Sequence, residues 1–554
     1  MGREPSRWSS AIFQGKVAVL RVRQVGRNLV RPTPRHEHGD AKLPVVLAEI
    51  RASLYEGREP EMELGKAQNL RLVSALLDGV RVPAGETFSF WRQVGRCHQG
   101  RGFVRGREIR QGCVIPSVGG GICGLTNGLY EAALKAGLEV IERHPHSKVV
   151  PGSAAERGMD ATVAWNYLDL RLKASFDWEI SVQMTRDELI VAILGPRPVL
   201  DTEVKEGRRT LQMVGDCATC GIEGCFRHRQ RPQVISARTA YWVDERWPEF
   251  EAYVGERDSD DLLLAPMDGA RWRRPAYAWA EVSAHATEVA LRHAWYARRL
   301  ADQGAARQLG LLRRAEELTQ RYAELTPFDA DEIVLPISLL PFAWRSGVLG
   351  GRRFRVLANR LPLVEIHRRL DEAYARFPDR PLLSDFRAPE ELVEAERTAL
   401  REAAVVITPH REVAALFGSK AVVLPWSVNP GKWIPGPAIG FPGPVVGRKG
   451  AYEVREAARR LGLSVVTPGR DVECEGFWGD VPVRRGSALD GVFAMVLPAV
   501  LEDRPRTLLA AQAAGCPVIA TRACGVEGVL EVPALDADAL FVALRLFRSG
   551  PASQ

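Results

Sequence analysis

One cysteine of this chain stands where a thiol can act as a nucleophile. Cys123 comes two positions after the glycine run Gly119–Gly121 and just before a segment whose apolar residues recur at helical spacing. A helix start favours negative charge, and glycines let another group approach the backbone closely. Both conditions favour a nucleophilic thiolate. The pattern therefore predicts an accessible, reactive thiol at the start of a helix that Gly137 caps.

Histidines and carboxylates follow this cysteine along the chain. One predicted strand carries His144 and His146, and the next carries Asp160 and Asp169. A thiol, an imidazole and a carboxylate that converge in space form a nucleophile, a base and an orienting group. Because Pro145 disturbs the pleat between the two histidines, we expect His146 to be the partner of the thiol, with Asp160 behind it.

A structural interpretation competes with the catalytic one. In it the glycines only make a tight turn, and Cys123 begins a packed helix. Cys97 and Cys113 stand in no comparable context, and we expect both to be packing thiols. The reactivity of Cys123 separates the two interpretations, because a cysteine that serves only packing is inert.

Four stretches in this part of the chain form an ordered set: GETFSFWRQVG (85–95), VGGGIC (118–123), LYEAALKAGLEVIERHPHS (129–147) and DATVAWNYLDLRL (160–172). Together they resemble the VanW family across nearly all of residues 40–195. The resemblance implies a tie to glycopeptide resistance and cell-envelope loci, without a settled reaction. The family usually has Gln after the cysteine and a Ser/Thr run behind it. This chain has Gly124 and then Leu-Thr-Asn-Gly, so that donor beside the thiol is missing.

A short cysteine-rich segment lies inside a linker at residues 199–232. Its candidate ligands have the spacing C-x2-C-x4-C-x2-H and are Cys217, Cys220, Cys225 and His228. Four soft ligands in a glycine-containing loop can wrap one tetrahedral ion, and a closed Cys3His set suits zinc. An iron–sulfur cluster is the alternative, because thiolates hold those clusters as well. In either case the segment is predicted to be a structural staple.

The rest of the chain, from about residue 233, alternates short apolar strands with long helices rich in Ala, Leu, Arg and Glu. The strand segments include EIVLPISLL, AVVITPH, LSVVTPG, FAMVLPAV and PVIATRA. Strands separated by helix-length segments predict βαβ units and parallel sheets. The Pro/Gly-rich stretch 428–444 is predicted to be a hinge between two such sheets.

Two segments of this half, 441–469 and 493–528, each give a strand, a loop, a helix and a second strand. Both resemble the C-terminal lobe of retaining glycosyltransferases of the GT-B architecture, and 404–430 resembles the end of their N-terminal lobe. The resemblance covers about residues 233–550. It implies a nucleoside diphosphate-sugar as the donor substrate.

The same resemblance implies a set of donor-site residues. The Gly-Arg and Lys-Gly elements that hold the diphosphate in the family correspond here to Gly447, Arg448, Lys449 and Gly450. A loop at a helix start with two cations suits a diphosphate. Of the family's two glutamates, the one that contacts the sugar corresponds to Glu502, and the one that contacts the ribose falls on Ala510. His410 and Asp244 follow strands at the edge where ligands gather, or are ordinary loop residues.

Composition narrows the protein class. The 554 residues are 46% hydrophobic and 26% charged, with a net charge of +7, as in ordinary globular proteins. No dense Lys/Arg run with interleaved aromatics points to nucleic acid. We find no secretory signal and no membrane-helix window, so we expect a cytoplasmic protein, with peripheral membrane association at most. Nine cysteines in so long a chain favour reduced thiols over a disulfide framework.

The sequence thus predicts an α/β protein of four parts. An α+β VanW-like domain spans 1–198, a metal-binding connector 199–232, and two Rossmann-like lobes 233–430 and 431–554. The leading predicted function is a glycosyltransferase that uses a nucleotide-activated sugar and a glycan or peptide-type acceptor. The alternatives are a cysteine-dependent acyl transferase or hydrolase at Cys123, and a non-catalytic envelope-associated binding protein.

Overall fold

The structure is a computed structural model that describes residues 7–30, 33–39, 41–55, 60–110, 113–146, 153–198, 238–300, 304–385 and 387–548. It divides into two compact units. The first comprises Met1–Arg238, Pro327–Asp331 and Ser346–Arg353, and the second Thr239–Thr326, Glu332–Arg345 and Phe354–Gln554. Among the helices within the described ranges, none combines the length and the apolar character needed to cross a bilayer.

The first unit mixes helices with short antiparallel sheets. Its helices are α1 (Arg7–Val30), α2 (Pro60–Leu77), α3 (Phe90–Val94) and α4 (Cys123–Lys135). Its strands are β1 (Val45–Ser53), β2 (Val80–Val82), β3 (Thr87–Ser89), β4 (Arg105–Arg110), β5 (Cys113–Val118), β6 (Glu139–Glu142), β7 (Arg171–Lys173), β8 (Trp178–Met184) and β9 (Glu188–Gly195). The strands form a sheet of order β1-β9-β8-β2, a sheet of order β3-β7-β6 and the hairpin β4-β5.

Helix α4 holds the first unit together. Leu125 and Leu129 recur at helical spacing and are fully buried in the core, which is worth about 1.5–3 kcal/mol for each side chain. A Cβ at Gly128 would lie 3.1 Å from Val191 of β9, so the helix rests directly on the sheet. After the last turn Gly137 adopts φ of 73°, the left-handed conformation expected of the predicted cap.

The second unit has ten helices among its described residues. They are α5 (Pro248–Gly255), α6 (Thr287–Ala297), α7 (Ala305–Leu325), α8 (Leu340–Arg345), α9 (Leu363–Arg376), α10 (Glu390–Glu402), α11 (Arg411–Phe417), α12 (Ala451–Leu461), α13 (Arg506–Ala513) and α14 (Ala537–Arg548). They alternate with the strands β10 (Arg238–Trp242), β11 (Leu262–Ala265), β12 (Ala284–His285), β13 (Ala330–Pro336), β14 (Arg353–Leu357), β15 (Val405–Thr408), β16 (Ala421–Val423), β17 (Ile434–Gly440), β18 (Val465–Thr467), β19 (Val483–Arg485), β20 (Asp490–Leu497), β21 (Val518–Ala520) and β22 (Leu530–Glu531).

These strands form two sheets of Rossmann-like topology, as the alternation of strands and helices predicted. The first sheet has the order β12-β11-β10-β13-β14-β15-β16 and the second β19-β18-β17-β20-β21-β22. In the second sheet each neighbouring pair is parallel. The strand order reverses between β10 and β13 in one sheet and between β17 and β20 in the other. Open α/β sheets bind ligands beside such reversal points, outside the carboxyl ends of the strands.

The predicted hinge at 428–444 is wrong in its central part. It contains β17, a strand that lies in the middle of the second sheet. The Pro and Gly residues that suggested a hinge belong to an irregular strand, whose pairing with β20 shifts register near Ala438. A Cβ at Gly436 would lie 2.6 Å from the Cα of Gly491, so this glycine permits close backbone contact.

Candidate functional site

The glycine run before Cys123 serves packing, not access. Gly119 and Gly121 have φ of 79° and 95°, which side chains rarely adopt. A Cβ at Gly120 would lie 2.3 Å from the carbonyl oxygen of Gly106, and one at Gly121 would lie 2.4 Å from Cγ of Lys66. The run is therefore a turn pressed against β4 and α2. The prediction that these glycines expose the thiol is wrong, because the backbone of Gly106 and the side chain of Lys66 occupy that space.

Cys123 is nevertheless partly accessible, from another side. It is the first residue of α4 and is half-buried. A Cβ built at the following residue, Gly124, would meet no atom within 4 Å, so the surface of α4 is open at that position.

His146 and Asp160 meet beside this cysteine. The Nδ1 atom of His146 lies 2.8 Å from Oδ2 of Asp160, and the backbone N–H of His146 donates to the same oxygen at 2.6 Å. The side chain of Cys123 lies close enough to the His146 ring to raise the pKa of that ring. Since Nδ1 faces the carboxylate, Nε2 is the ring nitrogen left for the thiol. The three residues predicted from the sequence therefore lie together, with a hydrogen bond between His146 and Asp160 and with Cys123 beside the ring.

The charges of His146 and Asp160 stabilise each other. Burial of the His146 ring disfavours its cation, but the hydrogen bonds to Asp160 and Cys123 and their charges outweigh burial and raise the pKa of His146 to about 9. Burial also opposes ionisation of Asp160, and here the hydrogen bonds from His146 and the charge of Arg143 prevail and lower its pKa. At neutral pH an imidazolium thus lies beside the thiol, held by a buried carboxylate.

Two side-chain contacts from α4 fix the segment that carries Asp160. The hydroxyl of Thr126 donates to the carbonyl oxygen of Ala161 at 2.6 Å, and the N–H of Ala161 donates to Oδ1 of Asn127 at 2.8 Å. The second bond also sets the orientation of the Asn127 amide, because only its oxygen can accept. The sequence that departs from the family's Ser/Thr run therefore ties the carboxylate to the helix that carries the nucleophile.

Arg143 is a neighbour that sequence reasoning missed. Its guanidinium donates to Oδ1 of Asp160 at 2.6 Å and to the backbone oxygen of Asp160 at 2.6 Å, and it lies 4.9 Å from the ring centre of Tyr130. It follows β6 directly and holds Asp160 from the side opposite His146. An arginine next to two histidines carried no separate signal in the sequence.

The other predicted partners lie elsewhere. His144 bonds Glu142 at 3.0 Å, and its ring is 37% exposed. Asp169 is buried and accepts hydrogen bonds from Ser89 Oγ at 2.6 Å and from the N–H of Trp91 at 3.1 Å. Burial raises the pKa of Asp169. These contacts stabilise local structure around α3, away from the thiol.

The predicted strands in this region are shorter in the structure. His144 and His146 follow β6, and Asp160 and Asp169 precede β7, so all four lie in connecting segments. The pairing of β6 ends at Glu142, and Pro145, which lacks a backbone N–H, cannot donate to a continued strand. Among the remaining cysteines, Cys97 packs against the core, and burial raises the pKa of its thiol to about 11.

The predicted metal ligands Cys217, Cys220, Cys225 and His228 lie outside the described residues, as does the whole connector 199–232. Within the described residues no group of three or more His, Cys, Asp and Glu side chains could hold a metal ion. Zinc and an iron–sulfur cluster therefore remain predictions.

A second constellation lies at the strand-order reversal of the second sheet. Gly447–Lys449 form a 3-10 turn after β17, and Gly450, with φ of 79°, leads into α12. Glu502 follows β20, the adjacent strand, and its Oε2 lies 3.0 Å from Nζ of Lys449. The structure therefore brings the predicted diphosphate loop and the predicted sugar-contacting glutamate together.

Carboxylates already engage the loop that was predicted to bind phosphate. The N–H of Gly447 donates to Oε2 of Glu473 at 2.7 Å, and Tyr452 donates to the other oxygen at 3.2 Å. Burial lowers the pKa of Arg448, while nearby acidic residues, Asp503 foremost, counteract that effect. Glu473 comes from an irregular loop, and nothing in the sequence marked it.

His410 adjoins this second constellation, and Asp244 belongs to the first sheet. His410 is buried, and its Nε2 lies 3.1 Å from the backbone oxygen of Glu502. A Cβ at Gly525 would clash with that ring at 2.3 Å. Asp244 follows β10, accepts a hydrogen bond from Ser338 and has a pKa that burial raises. Ala510, in place of a second glutamate, contacts Gly431, whose N–H donates to its carbonyl oxygen at 3.2 Å.

Comparison with known proteins identifies part of the chain. Residues 65–194 match the family model described as VanW like protein. This segment is a VanW-like domain. The predicted resemblance of the first part to that family is confirmed.

Two curated relatives match segments of 158 and 121 residues. The chain is 31% identical over 158 residues to the vancomycin B-type resistance protein VanW of Enterococcus faecalis, which is 27% of this chain and 57% of that protein. It is 32% identical over 121 residues to the uncharacterized protein YoaR of Bacillus subtilis, which is 22% of this chain and 39% of that protein. The chain thus spans about half the length of the curated relatives it matches.

Solved structures that resemble the chain include glycosyltransferases. One is the lipopolysaccharide outer core galactosyltransferase WaaB, with 13% identity and a TM-score of 0.34 over 57% of this chain and 91% of that one. The Rossmann-like character of the second unit rests on its two parallel sheets.

Proposed function

We propose that the VanW-like domain is a cysteine-dependent acyl transferase or hydrolase with Cys123 as its nucleophile. The observation that carries the proposal is the placement of Cys123 beside His146, whose ring the buried Asp160 holds by a hydrogen bond. Such a chain supplies a nucleophile, a proton carrier and an orienting group. This ranking differs from the sequence-based expectation, which placed sugar transfer first.

The residues divide the reaction as follows. The Cys123 thiolate attacks a carbonyl carbon and forms a thioester, while the leaving group departs with the proton of the His146 imidazolium. Water or an acceptor amine or hydroxyl then gives a proton to His146, breaks the thioester and frees the thiolate. Asp160 keeps Nδ1 protonated, so Nε2 faces the reacting atoms throughout.

Asn127 is the donor that we assign in place of the family's Gln. It lies one turn after Cys123 on the same face of α4, and its oxygen is held by Ala161, so Nδ2 is the part of the amide that can reach a ligand. A neutral amide near a developing oxyanion stabilises the transition state.

The test is acyl transfer from activated ester and peptide substrates of cell-envelope type. Cys123→Ser and His146→Ala should each reduce turnover by about 100-fold or more, the range of general acid–base catalysis. His144→Ala is the matched control, because it removes a ring two positions away that bonds Glu142 instead. Equal turnover in His146→Ala and His144→Ala would contradict the proposal.

We further propose that the second unit transfers a sugar from a nucleoside diphosphate-sugar donor, in cell-envelope or secondary-glycan metabolism. The convergence of Gly447–Gly450 and Glu502 beside the reversal of strand order supports this second function. Arg448 and Lys449 would neutralise the leaving diphosphate, and Glu502 would orient the sugar.

Calorimetric titration with a panel of nucleoside diphosphate-sugars tests the second function. Binding should disappear in the double variant Arg448→Ala, Lys449→Ala and persist in the surface variant Arg397→Ala. Sugar transfer to an acceptor or to water then identifies a transferase. Binding without turnover would leave a non-catalytic glycan- or nucleotide-binding protein, and binding unaffected by the double variant would refute the site.

A further inference from the structure

A cavity of about 360 Å³ in the second unit is lined by four arginines: Arg274, Arg298, Arg307 and Arg314. Arg274 lies on the loop after β11, Arg298 follows α6, and the other two belong to α7. Tyr277 and Tyr296 add aromatic walls, and no Asp or Glu is among the described lining residues. The cavity thus concentrates positive charge in a concave, partly apolar space.

Among the described residues, no carboxylate lies within 4 Å of these arginines, the distance that an ion pair requires. Arg307 donates to the backbone oxygen of Ala297 at 3.3 Å, and Arg314 donates to that of Asp244 at 3.2 Å. The guanidinium of Arg314 also lies 5.4 Å from the ring centre of Tyr277. The carboxylate of Asp244 acts on Arg314 only at longer range.

Other arginines of the same unit are paired. Arg360 with Glu396, Arg369 with Glu412 and Arg506 with Glu249 form ion pairs of 2.5–2.7 Å. The four arginines of the cavity therefore differ from these three, whose charge a nearby carboxylate balances. Arg307 adds a further cost, because it stands in the first turn of α7, where the field of the helix disfavours a cation.

We propose that this cavity binds a phosphorylated small molecule, with its phosphate groups among the arginines and its organic part against the two tyrosines. Guanidinium groups match phosphate oxygens in bidentate geometry. Four guanidinium groups around one cavity, with no Asp or Glu among the described residues that line it, favour a multiply charged anion over a single carboxylate. The proposal goes beyond both proposed reactions, since it uses none of their residues.

Calorimetric titration of the full chain with pyrophosphate tests the site. The double variant Arg298→Gln, Arg307→Gln should bind about tenfold more weakly or worse, as expected when charge-assisted hydrogen bonds are lost. The matched control is Arg292→Gln, Arg313→Gln, which removes the same charge from the same helical hairpin but outside the cavity lining. It should bind like the parent.

Two further variants separate this site from other effects. The variant Arg448→Ala, Lys449→Ala removes the diphosphate loop of the second proposed function and should leave the pyrophosphate affinity of the cavity intact. Arg274→Gln, on an exposed loop, should weaken binding with an unchanged melting temperature and so excludes misfolding as the cause. The proposal is overturned if the parent does not bind pyrophosphate at low salt, or if the cavity variants bind it as the control does.

Discussion

The two candidate sites use their charges in opposite ways. In the VanW-like domain, Asp160 stabilises the charge on His146, and this imidazolium lies beside the thiol of Cys123. In the second unit, Lys449 is bound by Glu502 and the N–H of Gly447 by Glu473. The first site is organised by its own residues, whereas the second holds carboxylates where a diphosphate would bind. An anionic donor must therefore displace Glu473 before the second site can work.

The largest expected effect concerns the buried carboxylate of the first site. Asp160→Ala leaves His146 and Arg143 without their shared partner, and removing one member of a buried ion pair costs about 3–5 kcal/mol. Urea denaturation of the variant should show that loss in the free energy of unfolding. The control is Asp177→Ala, since Asp177 accepts only an exposed backbone hydrogen bond from Ala84. A loss no larger than that of the control would contradict the role of Asp160 as the shared partner of His146 and Arg143.

The next effect is a pH dependence of stability. The pKa of His146 rises from 6.5 to about 9 on folding, so its cation stabilises the fold fully below about pH 6.5, and this contribution is lost as pH rises through about 9. The contribution of Asp160, whose pKa is lowered, is present at neutral pH and is lost in acid. At pH 6 the parent should exceed His146→Gln in unfolding free energy by roughly 3 kcal/mol, and near pH 10 by much less. A difference that stays constant between these pH values would contradict the charge arrangement.

A smaller effect compares the glycines around the thiol. Gly120→Ala forces a Cβ into the backbone of Gly106 and should destabilise the domain by about 1–3 kcal/mol. Gly124→Ala meets open space inside a helix and should stabilise it by up to about 1 kcal/mol. Thermal unfolding of the two variants measures both. Equal destabilisation by the two would contradict the open space at Gly124.

The smallest expected effect is a change in donor affinity at the second site. Glu473→Gln weakens the bond that holds the N–H of Gly447 and removes a negative charge, so donor affinity should increase about three- to tenfold. Calorimetry with a nucleoside diphosphate measures the change. Glu475→Gln removes the same charge from an exposed neighbour and is the control. An unchanged affinity in Glu473→Gln would mean that this carboxylate does not compete with the donor.

Much of the architecture was predictable because the local periodicity of the sequence determines it. The helical spacing after Cys123, the alternation of strands and helices after residue 238 and the order of the VanW-like stretches all depend on neighbours in sequence. His146 bonds Asp160 whereas His144 bonds Glu142, although the predicted strand ends before both histidines. A proline between two histidines was enough to indicate that they have different surroundings.

The errors concern contacts between segments distant in sequence. The glycines at 119–121 have the composition of an accessible loop, and only the position of Gly106 shows that they are filled by backbone. The irregular strand β17 has the composition of a hinge, because its glycine is required by Gly491 across the sheet. Arg143 and Glu473 complete the two sites from positions that carry no periodic signal. A local sequence pattern does not encode contacts between segments that are distant in sequence.

The most direct test of the central claim is the pH-dependent alkylation of Cys123 by iodoacetamide, followed by mass spectrometry of the modified peptide. At pH 7 the imidazolium of His146 lies beside Cys123 in both the parent and His144→Ala, so these two proteins should react at similar rates. The rate for His146→Ala should be about one tenth of the parent rate or lower, as expected when a charged partner is lost. A single rate shared by all three proteins would contradict the account and leave Cys123 as the first residue of a packed helix.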